Sequence, residues 1–193
     1  MDTIISDNAI ERIDDPLMRS MIWTSLFNAP SNGQMENSIL LETLIASLPV
    51  EENDRIIRRT MATLVSNLNL LERLGGEYAN ELAEYGPQAE QQLWQLINAG
   101  VNDEASSQSL STLNLRLSRY IGLARSFEAL GNLASLLEDA TRISGLSLGQ
   151  NQRWNIIQRF TARGYTRARE LLAAERERDS SDAGRRSAIA AQA

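Results

Sequence analysis

Apolar residues in this chain return every three or four positions, and no run of β-branched residues alternates with polar ones. Ile57, Met61, Leu64, Leu68 and Leu71 step by 4, 3, 4 and 3. That puts them on one stripe of a helix with about 3.6 residues per turn. A half-buried strand needs a period of two, so the pattern argues against a sheet. Pro16, Pro30, Pro49 and Pro87 all fall where one stripe ends or another begins. The spacing predicts an all-α fold of about nine helices joined by short loops.

Punctuation refines the elements. Asp14-Asp15-Pro16 reads as an acidic cap followed by Pro at the first helical position, with Leu17, Met18, Met21, Ile22, Leu26 and Phe27 behind it. Asn28 to Gly33 is a loop, and a second helix fits 35–48, ended by Pro49. A third starts near Glu51, whose acid suits a positive helix N-terminus, and stops at Gly75-Gly76. Residues 77–85 predict a short helix, with Pro87 opening another that carries Leu93, Trp94 and Ile97. Residues 101–108 read as a polar loop. Leu110, Leu113, Leu117, Tyr120 and Ala124 mark the next helix, and Gly131-Asn132 a stop and a new cap before a short helix near 133–142. Gly145 to Gly149 is a turn, and 150–163 carries Trp154, Ile157 and Phe160. A helix over 165–178 and a last one capped within Ser180 to Asp182 complete the chain.

Successive helix pairs without an exact repeat predict an irregular, HEAT-like α-solenoid of antiparallel pairs. A compact bundle is the alternative with the same helix count. The length of 193 residues suits one domain spanning 1–193, large enough to bury a core without staples.

Three residue types are missing. The chain has no His, no Cys and no Lys, so all 19 basic residues are Arg. A Ser-His-Asp triad, a Cys nucleophile, a Schiff-base lysine and a P-loop lysine are therefore excluded, and no disulfide can form. Transition-metal sites draw on imidazole and thiolate, and carboxylates alone favour harder ions. The expectation is a chain with no catalytic residue, metal site or cofactor of its own. The net charge of −6 gives no general pull toward nucleic acid, and no apolar run is long enough to span a membrane. With no basic-then-apolar leader, the expected location is cytoplasmic.

The charge is uneven. Residues 1–115 hold 6 Arg against 17 acids, and residues 116–193 hold 13 Arg against 8. The basic half is either a solvated surface or a face toward a negatively charged partner. Arg116, Arg119, Arg125, Arg153 and Arg159 are the candidates, because a guanidinium clamps a carboxylate through two parallel hydrogen bonds and Lys cannot. The adjacent acids Asp14-Asp15, Glu51-Glu52 and Glu138-Asp139 point about 100° apart on a helix, which does not suit paired acid/base work. Trp23, Trp94 and Trp154 lie among Leu and Ile and read as packing, as do Met18, Met21, Met35 and Met61. The basic patches at Arg58-Arg59, Arg176/Arg178 and Arg185-Arg186 read as solvated helix surface, interrupted near the C-terminus by Glu170, Glu175, Glu177 and Asp179.

The tail, Glu170 to Ala193, carries an Ala-rich helix, Glu177-Arg178-Asp179, a Ser cap, Gly184 and a basic Ala helix. Together with Gly145 to Trp154, a turn leading into an Arg-Trp helix, and Asp15 to Trp23 near the start, it resembles the C-terminal region of bacterial aminopeptidase N. The three matches are collinear and span nearly the whole chain. That family comprises gluzincin-type zinc aminopeptidases, which remove N-terminal residues from peptides. Their H-E-x-x-H helix and their Gly-x-Met-Glu-Asn loop do not occur here, so no catalytic residue carries over. Met35-Glu36-Asn37 resembles the end of that loop, but Gln34 replaces its small residue, and the segment reads as a helix N-terminus.

The resemblance implies a HEAT-like helical domain, a piece of a longer peptidase, that packs on the catalytic domain of the same polypeptide and closes the peptide chamber. Zinc would belong to the parent enzyme, and the partners would be that catalytic domain and the peptide substrate, with no nucleic acid and no membrane. The five arginines would then gather on a concave face, toward peptide or catalytic domain. Two other readings stay open: a stand-alone helical-repeat scaffold that binds a protein partner, and the helical ligand-sensing domain of a dimeric regulator.

Overall fold

The computed structural model describes residues 10, 12–100, 109–141 and 143–192. The predicted loop over 101–108 lies outside them. The fold is all-α: among the described residues there are nine α-helices and no strand. The chain divides into two compact units, residues 1–96 and 97–193.

In the first unit, α1 (Pro16–Asn28) starts as expected, with the Asp15 carboxylate accepting from Leu17 N at 2.9 Å. α2 covers Asn37–Ser47 and α3 Asp54–Leu74, and α3 packs against both. The α3 stripe is as predicted: Ile57, Met61, Leu64, Leu68 and Leu71 are all buried. Gly75 ends the helix at φ 60°, a conformation that disfavours any residue with a Cβ.

Three expectations fail here. Glu51 is not a helix-start acid. It is buried before α3, where it accepts from Arg19 Nε and Nη2 at 3.2 and 3.0 Å and from the Glu52 and Asn53 amides; Asn53 caps the helix instead. Met18 and Met21 are not core filler. They stand 53% and 65% exposed beside Leu17, because the buried side of α1 is set by Trp23 and Leu26. Pro87 does not open a helix. It lies inside α4, Ala79–Asn98, on the exposed side. Proline disfavours a helical predecessor through clashes with that residue's N–H and Cβ, and the predecessor here, Gly86, lacks the Cβ. The helix therefore runs on, at the cost of one backbone hydrogen bond and of the ring's crowding against the carbonyl four residues back, about 3 kcal/mol together.

In the second unit, α5 (Leu110–Leu123) is capped by Ser109 and buries Leu113, Leu117, Tyr120 and then Ala124, while Leu110 stays exposed. The expected stop at Gly131-Asn132 is absent. α6 runs from Phe127 to Glu138, capped earlier by Ser126 through Ala129 N at 3.0 Å, and Gly131 is interior to it. One cap hydroxyl in the right place outweighs the roughly 1 kcal/mol cost of an interior glycine. α7 (Gln150–Ala162) buries Trp154, Ile157 and Phe160 as expected. α8 begins at Ala168 rather than 165 and ends at Arg178, and α9, capped by Ser181, covers Asp182–Ala190. α7 is the hub of this unit: it packs against α5, α6, α8 and α9.

Candidate functional site

Of the five candidate arginines, Arg116 and Arg119 lie on α5, Arg153 and Arg159 on α7 and Arg125 between α5 and α6. Arg153 projects from the first turn of α7 onto Glu175 of α8. Its Nε lies 3.1 and 3.0 Å from the two carboxylate oxygens, its Nη2 2.7 Å from Oε2, and its Nη1 donates to Leu137 O at the end of α6. Arg178, one turn along α8, also donates to Glu175 Oε1. Glu175 is 2% exposed. Burial, the largest single influence, raises its pKa, but hydrogen bonds and charge from Arg178 and Arg153 together outweigh it, and the carboxyl ends below its ordinary value.

Arg159, near the other end of α7, addresses a backbone. Its Nε donates to Ile121 O at 2.8 Å and its Nη2 to Gly122 O, both in the last turn of α5. Arg125 donates from Nε to Leu123 O at 3.1 Å. The last carbonyls of a helix lack intrahelical donors and carry partial negative charge, so cations stabilise them. Arg116 is buried, and desolvation lowers its pKa. Arg119 is half-buried on the same helix. Of the five arginines, Arg125, Arg153 and Arg159 thus serve the protein's own carbonyls and carboxylate.

The acids expected to interrupt a solvated basic surface do more than that. Asp179, between α8 and α9, accepts from Trp154 Nε1 at 2.7 Å and from Ser181 Oγ at 2.7 Å, and Gln150 reaches its Oδ2. These donors, Trp154 first, hold its carboxyl at about 2. Glu138 pairs with Arg167 at 2.8 Å and Asp139 accepts from Thr141, so this adjacent pair is split between different partners. Trp23 and Trp154 are buried, as the packing reading required, and Arg59 lies over the Phe27 ring at 4.9 Å.

Nothing in this arrangement supplies a nucleophile with a base, and no group of His, Cys, Asp or Glu suited to a metal ion occurs among the described residues. Arg169, not singled out in the sequence, and Arg176, read there only as part of a solvated basic patch, face an open cleft bounded by α8 and the end of α9. Their signal was available: Arg169, Leu172, Ala173 and Arg176 follow the i, i+3, i+4, i+7 rule for one helix face. No described helix is long and apolar enough to cross a membrane. Compared with known proteins, the chain matches no family model and no curated protein.

Proposed function

We propose that this chain is the non-catalytic C-terminal helical domain of an aminopeptidase N-like zinc peptidase, a cytoplasmic enzyme. Its part is to cap the peptide chamber and limit which substrates reach it. The resemblance supplies the family. The observation that carries a domain reading is the outer face of α1, where Leu17, Met18 and Met21 stand 69%, 53% and 65% exposed within little more than one turn. A contiguous exposed apolar patch marks a surface that another body covers. In this reading, that body is the rest of the same polypeptide.

The residues here do not fit the parent's zinc, since no imidazole or thiolate is available. Their contribution is through remote contacts that orient a peptide or exclude a long one. The same α1 face would serve a stand-alone scaffold, and the genetic locus separates the two. An open reading frame carrying H-E-x-x-H upstream of Asp15 in the same frame is the expected finding, and a frame that lacks it overturns the proposal. The purified chain is further expected to bind no stoichiometric zinc and to leave aminoacyl-arylamide substrates uncleaved. Turnover by pure material would also overturn it.

A further inference from the structure

Between α8 and the end of α9, the second unit leaves an open cleft of about 760 Å³. Its floor joins the small or apolar Ala168, Leu172, Ala173 and Ala191 to the polar Thr161, Thr166 and Gln192. Among the described residues, its charged lining residues are Arg169 and Arg176, and no acidic side chain lines it. Among the described residues, neither guanidinium has a hydrogen bond or an ion pair. The nearby acids are engaged elsewhere: Glu170 with Arg167 at 2.9 Å, Glu175 with Arg153 and Arg178, Asp179 with Trp154 and Ser181. Glu177, the remaining acid of α8, stays outside the lining. Among the described residues, two cations without an internal counter-charge thus flank a partly apolar floor.

The spacing selects the shape of the counterpart. Arg169 and Arg176 are seven residues apart, which at about 1.5 Å of rise per residue separates their backbones by about 10 Å along α8. A second helix with carboxylates at i and i+7 has the same separation. Its i+3 and i+4 positions would then lie over Leu172 and Ala173. The alanines of the floor leave room for a helix backbone to approach closely. A single-stranded nucleic acid is a poorer match. Binding it usually employs free aromatic faces, and the Tyr165 ring at the cleft is stacked on Phe160 with centroids 4.7 Å apart.

We infer that this cleft docks an acidic amphipathic helix of a partner protein, with two of its carboxylates on Arg169 and Arg176. The inference concerns this chain alone and stands whether or not the chain belongs to a peptidase.

The test is fluorescence anisotropy of the whole chain with a labelled helical peptide of about 20 residues, Glu at i and i+7 and Leu and Ala at i+3 and i+4. The Glu-to-Gln twin of the peptide and a single-stranded oligonucleotide serve as competitors. Saturable binding of the acidic peptide is expected, weakening with added salt, and about tenfold weaker in the Arg169→Gln/Arg176→Gln double variant. Both side chains are exposed, so the double variant is expected to keep the helical circular dichroism of the parent. Lysine at both positions is expected to restore part of the affinity. Equal binding of the Gln twin, an unaffected double variant, or tighter binding of the oligonucleotide would each overturn the inference.

Discussion

The indole of Trp154 donates to Asp179 Oδ2 at 2.7 Å and so ties α7 to the junction between α8 and α9. With Ser181 and Gln150 also donating, the Asp179 carboxyl is held at about 2, against an ordinary value of 3.8. A depressed folded-state pKa contributes stability that is present above the unfolded value and is lost as pH falls through the folded one. The gap in urea midpoint between wild type and Asp179→Asn is therefore expected to be constant at neutral pH and to shrink from about pH 4 toward pH 2. A gap that stays constant down to pH 2 would sink the assignment.

The same aspartate explains a glycine. A Cβ on Gly184 would stand 2.5 Å from Asp179 Cγ and closer still to the Asp179 carbonyl oxygen, and backbone cannot swing aside. Gly184→Ala is therefore expected to destabilise the protein by about 1–3 kcal/mol, despite the better helix propensity of Ala. Gly131, interior to α6, has open space around its Cβ direction, so Gly131→Ala is expected to stabilise by about 0.5–1 kcal/mol. Opposite signs in thermal unfolding of the two variants check the argument.

Glu175 offers a sharper energetic test. Its side chain is 2% exposed and that of Arg153 19%, so removing the carboxylate leaves a largely desolvated guanidinium without its counter-charge. Glu175→Ala is expected to cost about 3 kcal/mol by chemical denaturation, and Glu175→Gln less, since its amide oxygen still accepts. Replacing Arg153 and Glu175 together by Met and Leu is expected to recover most of the loss. A single variant no worse than the double would show that the pair is not coupled.

These contacts mark what the sequence could and could not reveal. Helix class, the α3 stripe and the caps at Asp15 and within Ser180 to Asp182 were legible, because they rest on spacing and on groups a few residues apart. The depth of Glu175 and the Arg19–Glu51 fork were not, because each joins residues more than twenty positions apart. Nor does helical spacing say which apolar stripe a helix turns outward, so Met18 and Met21 gave the same signal as the buried Met61. Pro87 and Gly131 misled for a different reason. The cost of an interior Gly is about 1 kcal/mol, and an earlier cap hydroxyl offsets it; that of an interior Pro is about 3 kcal/mol, and the packing of the long helix around Leu93 and Ile97 outweighs it, with Gly86 before it removing one clash.

Arg159 is the candidate arginine whose role is most open to a clean experiment. Its guanidinium spans two helices, leaving α7 and closing the last turn of α5 at Ile121 O and Gly122 O. Arg159→Met keeps the apolar stem and removes the donors, so the expected loss of about 2 kcal/mol reflects the uncapped carbonyls rather than lost packing. Lysine keeps the charge but lacks the planar fork, and it is expected to recover less than half of that loss. If the arginine serves only a ligand, Met at 159 leaves the denaturation midpoint unchanged. If it caps α5, amide hydrogen exchange accelerates in the last turn of that helix and nowhere in α8 or α9.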